Sequence, residues 1–150
     1  MSLANLIGKS LEKTRPDAAV IGRLLVAARR NIADARVTEI SAENRFDAAY
    51  KAIMQLANAA LQANGFRTLT SKPGHHMTML QTLGQTVGVD KQTVIVLDAL
   101  RKQRNVADYA GDVVPASAVE ECLSHAEALQ SSVIDWLKEN KPELILDKQD

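Results

Sequence analysis

Apolar positions along the chain recur at helical spacing almost everywhere. A short helix is expected over Leu3 to Lys13. Thr14-Arg-Pro-Asp17 then reads as a helix start, with Thr14 as N-cap, Pro16 in the first turn and Asp17 near the positive end. The stripe that follows is Ile21, Leu24, Leu25, Ala28, Ile32 and Ala35, fading near Val37. Ser41 can cap a third helix, whose stripe is Phe46, Ala49, Tyr50, Ile53, Leu56, Ala57, Ala60 and Leu61, with Gly65 as its stop. Phe66 to Gly74 is rich in Thr, Ser, Pro and Gly and reads as a loop. Met77, Leu80, Leu83 and Val87 mark a fourth helix ending at Gly88. A fifth is expected from about Asp90 to Ala110, stopping at Gly111. Pro115 opens the last helix, striped by Val119, Leu123, Ala126, Leu129, Val133 and Trp136, and Pro142 ends it. No alternating stretch is longer than Arg36 to Ile40, so no sheet is expected.

This pattern predicts an all-α, up-and-down bundle of four to five long helices with short connections. Residues 1–150 form one domain, with 1–14 and 143–150 peripheral. The expected core includes Ile21, Leu24, Tyr50, Ile53, Leu56, Leu83, Leu97, Leu123 and Trp136.

The fifth helix breaks the monotony. It starts as hydrocarbon, Val94-Ile-Val-Leu97, and then runs into Arg101-Lys-Gln-Arg-Asn-Val-Ala-Asp-Tyr-Ala-Gly111. At roughly 100° per residue, Val94, Leu97, Arg101, Arg104, Asn105 and Asp108 share one arc. Ile95, Val96, Ala99, Leu100, Val106 and Ala107 fall opposite and are expected to stay in the core. The arc that begins apolar thus ends as Arg, Arg, Asn and Asp. It is either a cationic patch on a rigid helix or a solvated helix end with Arg104 and Asp108 as an i,i+4 pair.

Composition narrows the function. Aromatics are 3% of 150 residues, too few for a stacking platform on single-stranded nucleic acid. Formal net charge is zero, so bulk electrostatics point to neither nucleic acid nor membrane, and any anion site must be local. Cys122 is the single cysteine; it excludes an intramolecular disulfide and reads as a buried thiol. No stretch reaches the roughly 18 apolar residues of a membrane helix. The first residues lack the charged front and apolar run of a signal peptide, so a cytoplasmic protein is expected.

Three histidines remain to place. His75 and His76 follow Pro73-Gly74 at the start of the fourth helix, where unpaired N–H groups and the helix dipole favour anions. Imidazoles there keep a low proton affinity and can act as neutral donors or bases. The alternative is a pair of solvated loop histidines. His125 is isolated in the last helix. No Cys or spaced His/Glu set accompanies the pair, so no metal site is expected, and no motif calls for a cofactor. Phosphate-loop, nucleophile-elbow and metalloprotease patterns are absent from the sequence.

Three blocks, in order, carry a family resemblance. The first is Asn44-Arg-Phe-Asp-Ala-Ala-Tyr-Lys51, continuing to Gly65-Phe-Arg67; the second is Gly74-His-His-Met77; the third is Leu100-Arg-Lys-Gln-Arg-Asn-Val-Ala-Asp-Tyr109. Together they resemble the HEPN superfamily of small helical, nucleotide- and RNA-associated domains, over about residues 17 to 140. The resemblance implies a HEPN-like four-helix bundle, often dimeric, with a cleft lined by the arginine helix. Its ribonuclease branches use Arg, a polar residue, then three to five more residues and a His. Arg104-Asn105 matches the opening, but Asp108, Tyr109 and Gly111 stand where that His would be. A metal-independent ribonuclease would then draw on Arg104, with Tyr109 or His76 moving the proton. Arg101, Arg104, Asn105, Asp108, His75 and Arg45 are the expected ligand-binding set.

Two readings stay open. In one, the chain binds or acts on RNA or a nucleotide as a toxin-type component, paired with a nucleotidyltransferase-type antitoxin. In the other, it is a non-catalytic homodimeric assembly domain, and the Arg/Asn/Asp cluster is a structural polar network. The fifth helix predicts a homodimer with Arg101 or Arg104 at or beside the seam.

Overall fold

The computed structural model describes residues 2–111 and 113–145, and the side chains of all of these except residues 108–110. The helices are α1 (Ala18–Ala35), α2 (Ala42–Ala63), α3 (His75–Gln81), α4 (Leu83–Thr86), α5 (Lys91–Ala110) and α6 (Ala116–Asn140). Two short strands, β1 (Leu11–Lys13) and β2 (Phe66–Thr68), pair antiparallel. The architecture is an all-α bundle with this small ribbon at one edge.

α2 is the central helix. Twelve of its 22 residues are buried, six of them alanines, and it packs against α1, α6, α3 and α5. An alanine-rich helix lets its neighbours approach closely, which is how a chain so poor in aromatics fills its interior. Phe46 and Tyr50 are its two buried rings. Ile21, Ile53, Leu56, Leu83, Leu97 and Leu123 are buried as expected, while Leu24 and Trp136 lie partly buried against the core.

Most helix ends sit where their capping residues predict. The Ser41 hydroxyl accepts from the Asn44 N–H, and the Asp90 carboxylate from the Thr93 N–H. Pro115 is the N-cap of α6, and Gly111 ends α5 in the left-handed conformation, at φ 71°. The exceptions are informative. α1 is capped not by Thr14 but by Asp17, whose carboxylate accepts from the N–H groups of Ala19 and Val20; Pro16 lies before the helix. The fourth predicted helix is two, because the chain bends at Thr82. There the hydroxyl turns back onto the carbonyls of Thr78 and Met79.

The amino-terminal segment departs further from expectation. Instead of a helix over Leu3 to Lys13 there is a 3-10 turn at Leu3–Leu6 and then β1, with Leu11 fully buried. Its partner β2 occupies part of the expected loop, with Leu11 opposite Thr68 and Lys13 opposite Phe66. The expectation of no sheet is therefore corrected to one two-stranded ribbon, held by cross-chain pairing and by Leu11 in the core.

Candidate functional site

α5 is where the structure most changes the expected picture. Leu97 is buried, and its arc continues into Arg101 and Arg104, which turn toward the bundle; of the opposite arc Leu100, at its edge, is buried as expected. Ile95 and Val106, expected in the core, are 54% and 48% exposed, and Ala99 is exposed with them. They lie half a turn away from Leu97. The helix thus presents its cationic arc inward and part of its apolar arc to solvent. Arg104 can sit there because α2 supplies a carboxylate and an aromatic face, and Arg101 because Asp98 stands one turn before it on the same helix.

α2, α3 and α5 meet around Tyr50. The Tyr50 ring is 1% exposed, and its hydroxyl lies 3.1 Å from His76 Nδ1. Arg104 Cζ sits 5.4 Å from the centre of the same ring, a cation–π contact. Arg104 Nε also reaches Asp47 Oδ1 at 3.4 Å, and Asp47 Oδ2 is 3.3 Å from Lys51 Nζ one turn on. Arg101 Nε donates to Asp98 Oδ1 at 2.8 Å, and Lys102 approaches the other oxygen at 3.5 Å. The His75 ring meets His76 edge-on, centroids 4.8 Å apart.

This packing sets the protonation states. Burial pushes the Tyr50 phenol up to about 12, against the pull of Arg104 and Arg101, so it stays protonated. His76 falls below its ordinary 6.5, first through burial and then through His75, Arg104 and Arg101. The protonated phenol and the neutral ring share one hydrogen bond, whose donor is set by the tautomer of the ring. His76 thus stays neutral, through burial first and then through His75 and the two arginines. The Asp98 carboxyl is lowered by its hydrogen bond from Arg101 and stays ionised.

The histidine shift has a sign. A depressed value means that, below 6.5, the unfolded chain binds the proton more readily than the folded one. Stability should therefore decline as pH falls below 6.5, until His76 protonates in the folded state. Urea denaturation at pH 7 and pH 5 should show a smaller loss in His76→Asn than in the parent chain.

No family model, curated protein or solved structure matches the chain. The site is therefore read from its own geometry. Arg101, Arg104, His75 and His76 are brought together. Asn105 follows on the same helix, half-buried, with no hydrogen-bond partner for its amide among the described residues. Arg101 bonds through Nε alone among the described residues, which leaves the end of its guanidinium open. Asp108 and Tyr109 fall on α5, but their side chains lie outside the described residues, and with them the expected Arg104–Asp108 pair.

Arg45 does not join this cluster. Its Nε donates to the Ala35 carbonyl at 2.8 Å, capping the end of α1, and its other end meets Glu120 on α6 at 3.3 Å. With its side chain 11% exposed, it ties three helices together. Arg45→Ala should cost about 1–2 kcal/mol in a urea titration by orphaning that carbonyl, while leaving ligand affinity unchanged.

Three members of the cluster were not among the expected site residues: Tyr50, Asp47 and Asp98. Tyr50 reads as core in its stripe, which it also is. Asp98 stands three residues before Arg101, a spacing that does signal a pair. Nothing local links Asp47 to Arg104, 57 residues away. Among the described residues no group of three or more His, Cys, Asp or Glu is placed to hold a metal, and no helix is long and apolar enough to cross a membrane. Cys122 is buried, and burial pushes its thiol up to about 12.

Proposed function

We propose that the chain binds RNA or a nucleotide through its phosphate, held by Arg101 and Arg104, with Asn105 and His76 completing the contacts. The observation that carries this reading is the inward turn of the arginine arc. Guanidinium groups bordering a core lose hydration, and a helix end whose only task is solubility would face them outward. Here two arginines lie near a neutral histidine that is hydrogen-bonded to Tyr50. That set suits a phosphate, with one neutral imidazole beside it that can take a proton. In a cleavage reaction, the ribose 2′-hydroxyl attacks phosphorus and displaces the 5′-oxygen; neutral His76 takes the proton of the attacking hydroxyl, water protonates the leaving oxygen, and Arg104 stabilises the charge on the phosphorus-bound oxygens. By its resemblance to HEPN domains, such a protein would serve as a toxin-type component with a nucleotidyltransferase-type partner, encoded beside it. The test is incubation of purified protein with total RNA beside Arg104→Ala, scoring both gel shift and cleavage. Equal behaviour of the two proteins would end the reading.

A second reading has its own observation. Both arginines pair with carboxylates of the same chain, and Ile95 and Val106 form an exposed apolar strip on the outer face of α5. An assembly domain would look like this, with the polar cluster holding α5 on α2 and the strip meeting a second copy. Light scattering at tens of micromolar is then expected to give twice the 16.3 kDa chain mass; a monomer would count against it.

A further inference from the structure

A groove of about 390 Å³ runs between the end of α1 and the start of α2, and Asp47 forms part of its wall. This is the carboxylate that meets Arg104 Nε at Oδ1 and Lys51, one turn on, at Oδ2. The groove therefore abuts the arginine cluster, sharing one residue with it. Lys51 also lines the groove, 57% exposed and able to meet a phosphate at that junction.

The remaining walls differ in character from the arginine site. Val37 and Ile40, both 41% exposed, and Ala48 make an aliphatic surface. These are large apolar side chains left in water by a short connection between two helices, facing a cavity instead of a neighbour. The polar groups beside them are mostly acceptors. Asp34 is a carboxylate, and Asn31 has its amide nitrogen committed to Gln55 Oε1 at 2.9 Å, which leaves its oxygen to accept. Asn44 adds an amide of either polarity. The volume lies at the small end of ligand sites, and the mixture of aliphatic wall with a few acceptors is the usual make-up of such sites.

We propose that this groove is the base subsite of the phosphate site, taking the nucleobase of a ribonucleotide whose phosphate lies on Arg101 and Arg104, with Lys51 at the junction. The inference rests on the phosphate-binding reading above. A flat ring packs on Val37, Ile40 and Ala48, and its edge meets Asp34 and Asn31. Acceptors favour bases that carry an exocyclic amino group, adenine and cytosine above uracil. The ribonucleotide can be free or part of a strand; the chemistry of the subsite is the same for both.

The experiment is fluorescence anisotropy with labelled five-residue oligoadenylate and oligouridylate, repeated with unlabelled ATP and inorganic tripolyphosphate as competitors. The variants are Arg104→Ala, the double variant Val37→Ser with Ile40→Ser, and Asp34→Asn. Both groove changes lie on exposed positions and leave the core intact. The parent chain is expected to prefer oligoadenylate by about fivefold to tenfold, the scale of one good base-edge contact. Asp34→Asn should erase that preference. The Val37/Ile40 double variant should bind oligoadenylate about tenfold more weakly, the scale of two lost aliphatic contacts, with tripolyphosphate competing as before. If ATP competes no better than tripolyphosphate while oligoadenylate is preferred, the ligand is a strand; if ATP competes better, the groove takes the free nucleotide as well. Loss of binding in Arg104→Ala with no effect of the groove variants overturns the subsite and leaves the arginine reading standing. Equal binding by the parent chain and Arg104→Ala, or no binding of any probe, overturns both.

Discussion

Leu56→Ala should lower the unfolding free energy by about 2–5 kcal/mol, read from urea or thermal denaturation. Leu56 is fully buried at mid-length of α2, the helix on which the others pack. Truncating it removes three carbons' worth of burial and leaves a cavity. The alanines around it, Ala52, Ala57, Ala59 and Ala60, have no side chain long enough to collapse into the space. That places the expected cost toward the upper part of the range. A loss below 1 kcal/mol would mean that α2 is not the organising helix of the bundle. Val106→Ala is the matching control, because that side chain is half-exposed and nothing collapses around it.

The helices were legible because their signals are local. Ser41, Asp90, Pro115, Gly65 and Gly111 each act on the backbone within a turn of themselves, and each marks its boundary. β1 and β2 were not legible. Three residues are too few for an alternation to register, and Leu11-Glu-Lys13 and Phe66-Arg-Thr68 become strands only by meeting each other across 55 residues. The start of α1 was legible in kind but shifted by three residues, since Thr14 and Asp17 both have the chemistry of an N-cap and Pro16 fits on either side.

The site shows the same division. Periodicity groups Leu97, Arg101 and Arg104 on one arc, and the structure keeps that group together. What periodicity cannot give is which arc faces inward when one is apolar and then charged, and the other apolar almost throughout. Hydrophobicity alone would bury Ile95 and Val106. The choice is decided by Asp47 and Tyr50 on α2, which offer Arg104 a carboxylate and a ring, and by Leu97, which starts the arc inward with Leu100 buried beside it. Arg45 illustrates the converse. It stands in a block that resembles a family motif, yet the contacts that surround it tie helix ends together.

Replacing Arg104 by Lys should weaken binding of a labelled RNA oligonucleotide almost as much as replacing it by Ala, by about 1–3 kcal/mol on the scale of charged hydrogen bonds. The geometry explains why charge is not sufficient. Arg104 holds Cζ 5.4 Å from the centre of the Tyr50 ring with Nε toward Asp47, and these two contacts set the direction of its guanidinium fork. A lysine ammonium has no fork to offer. It would swing toward Asp47, which already holds Lys51, and be neutralised there. Arg101→Lys should be milder, because Asp98 lies one turn away on the same helix and can hold an ammonium in a similar place. The order Arg104→Ala ≈ Arg104→Lys, then Arg101→Lys, then the parent chain is therefore expected in anisotropy titrations. If Arg104→Lys binds like the parent chain, the site reads charge alone, and the guanidinium fork has no part in holding phosphate.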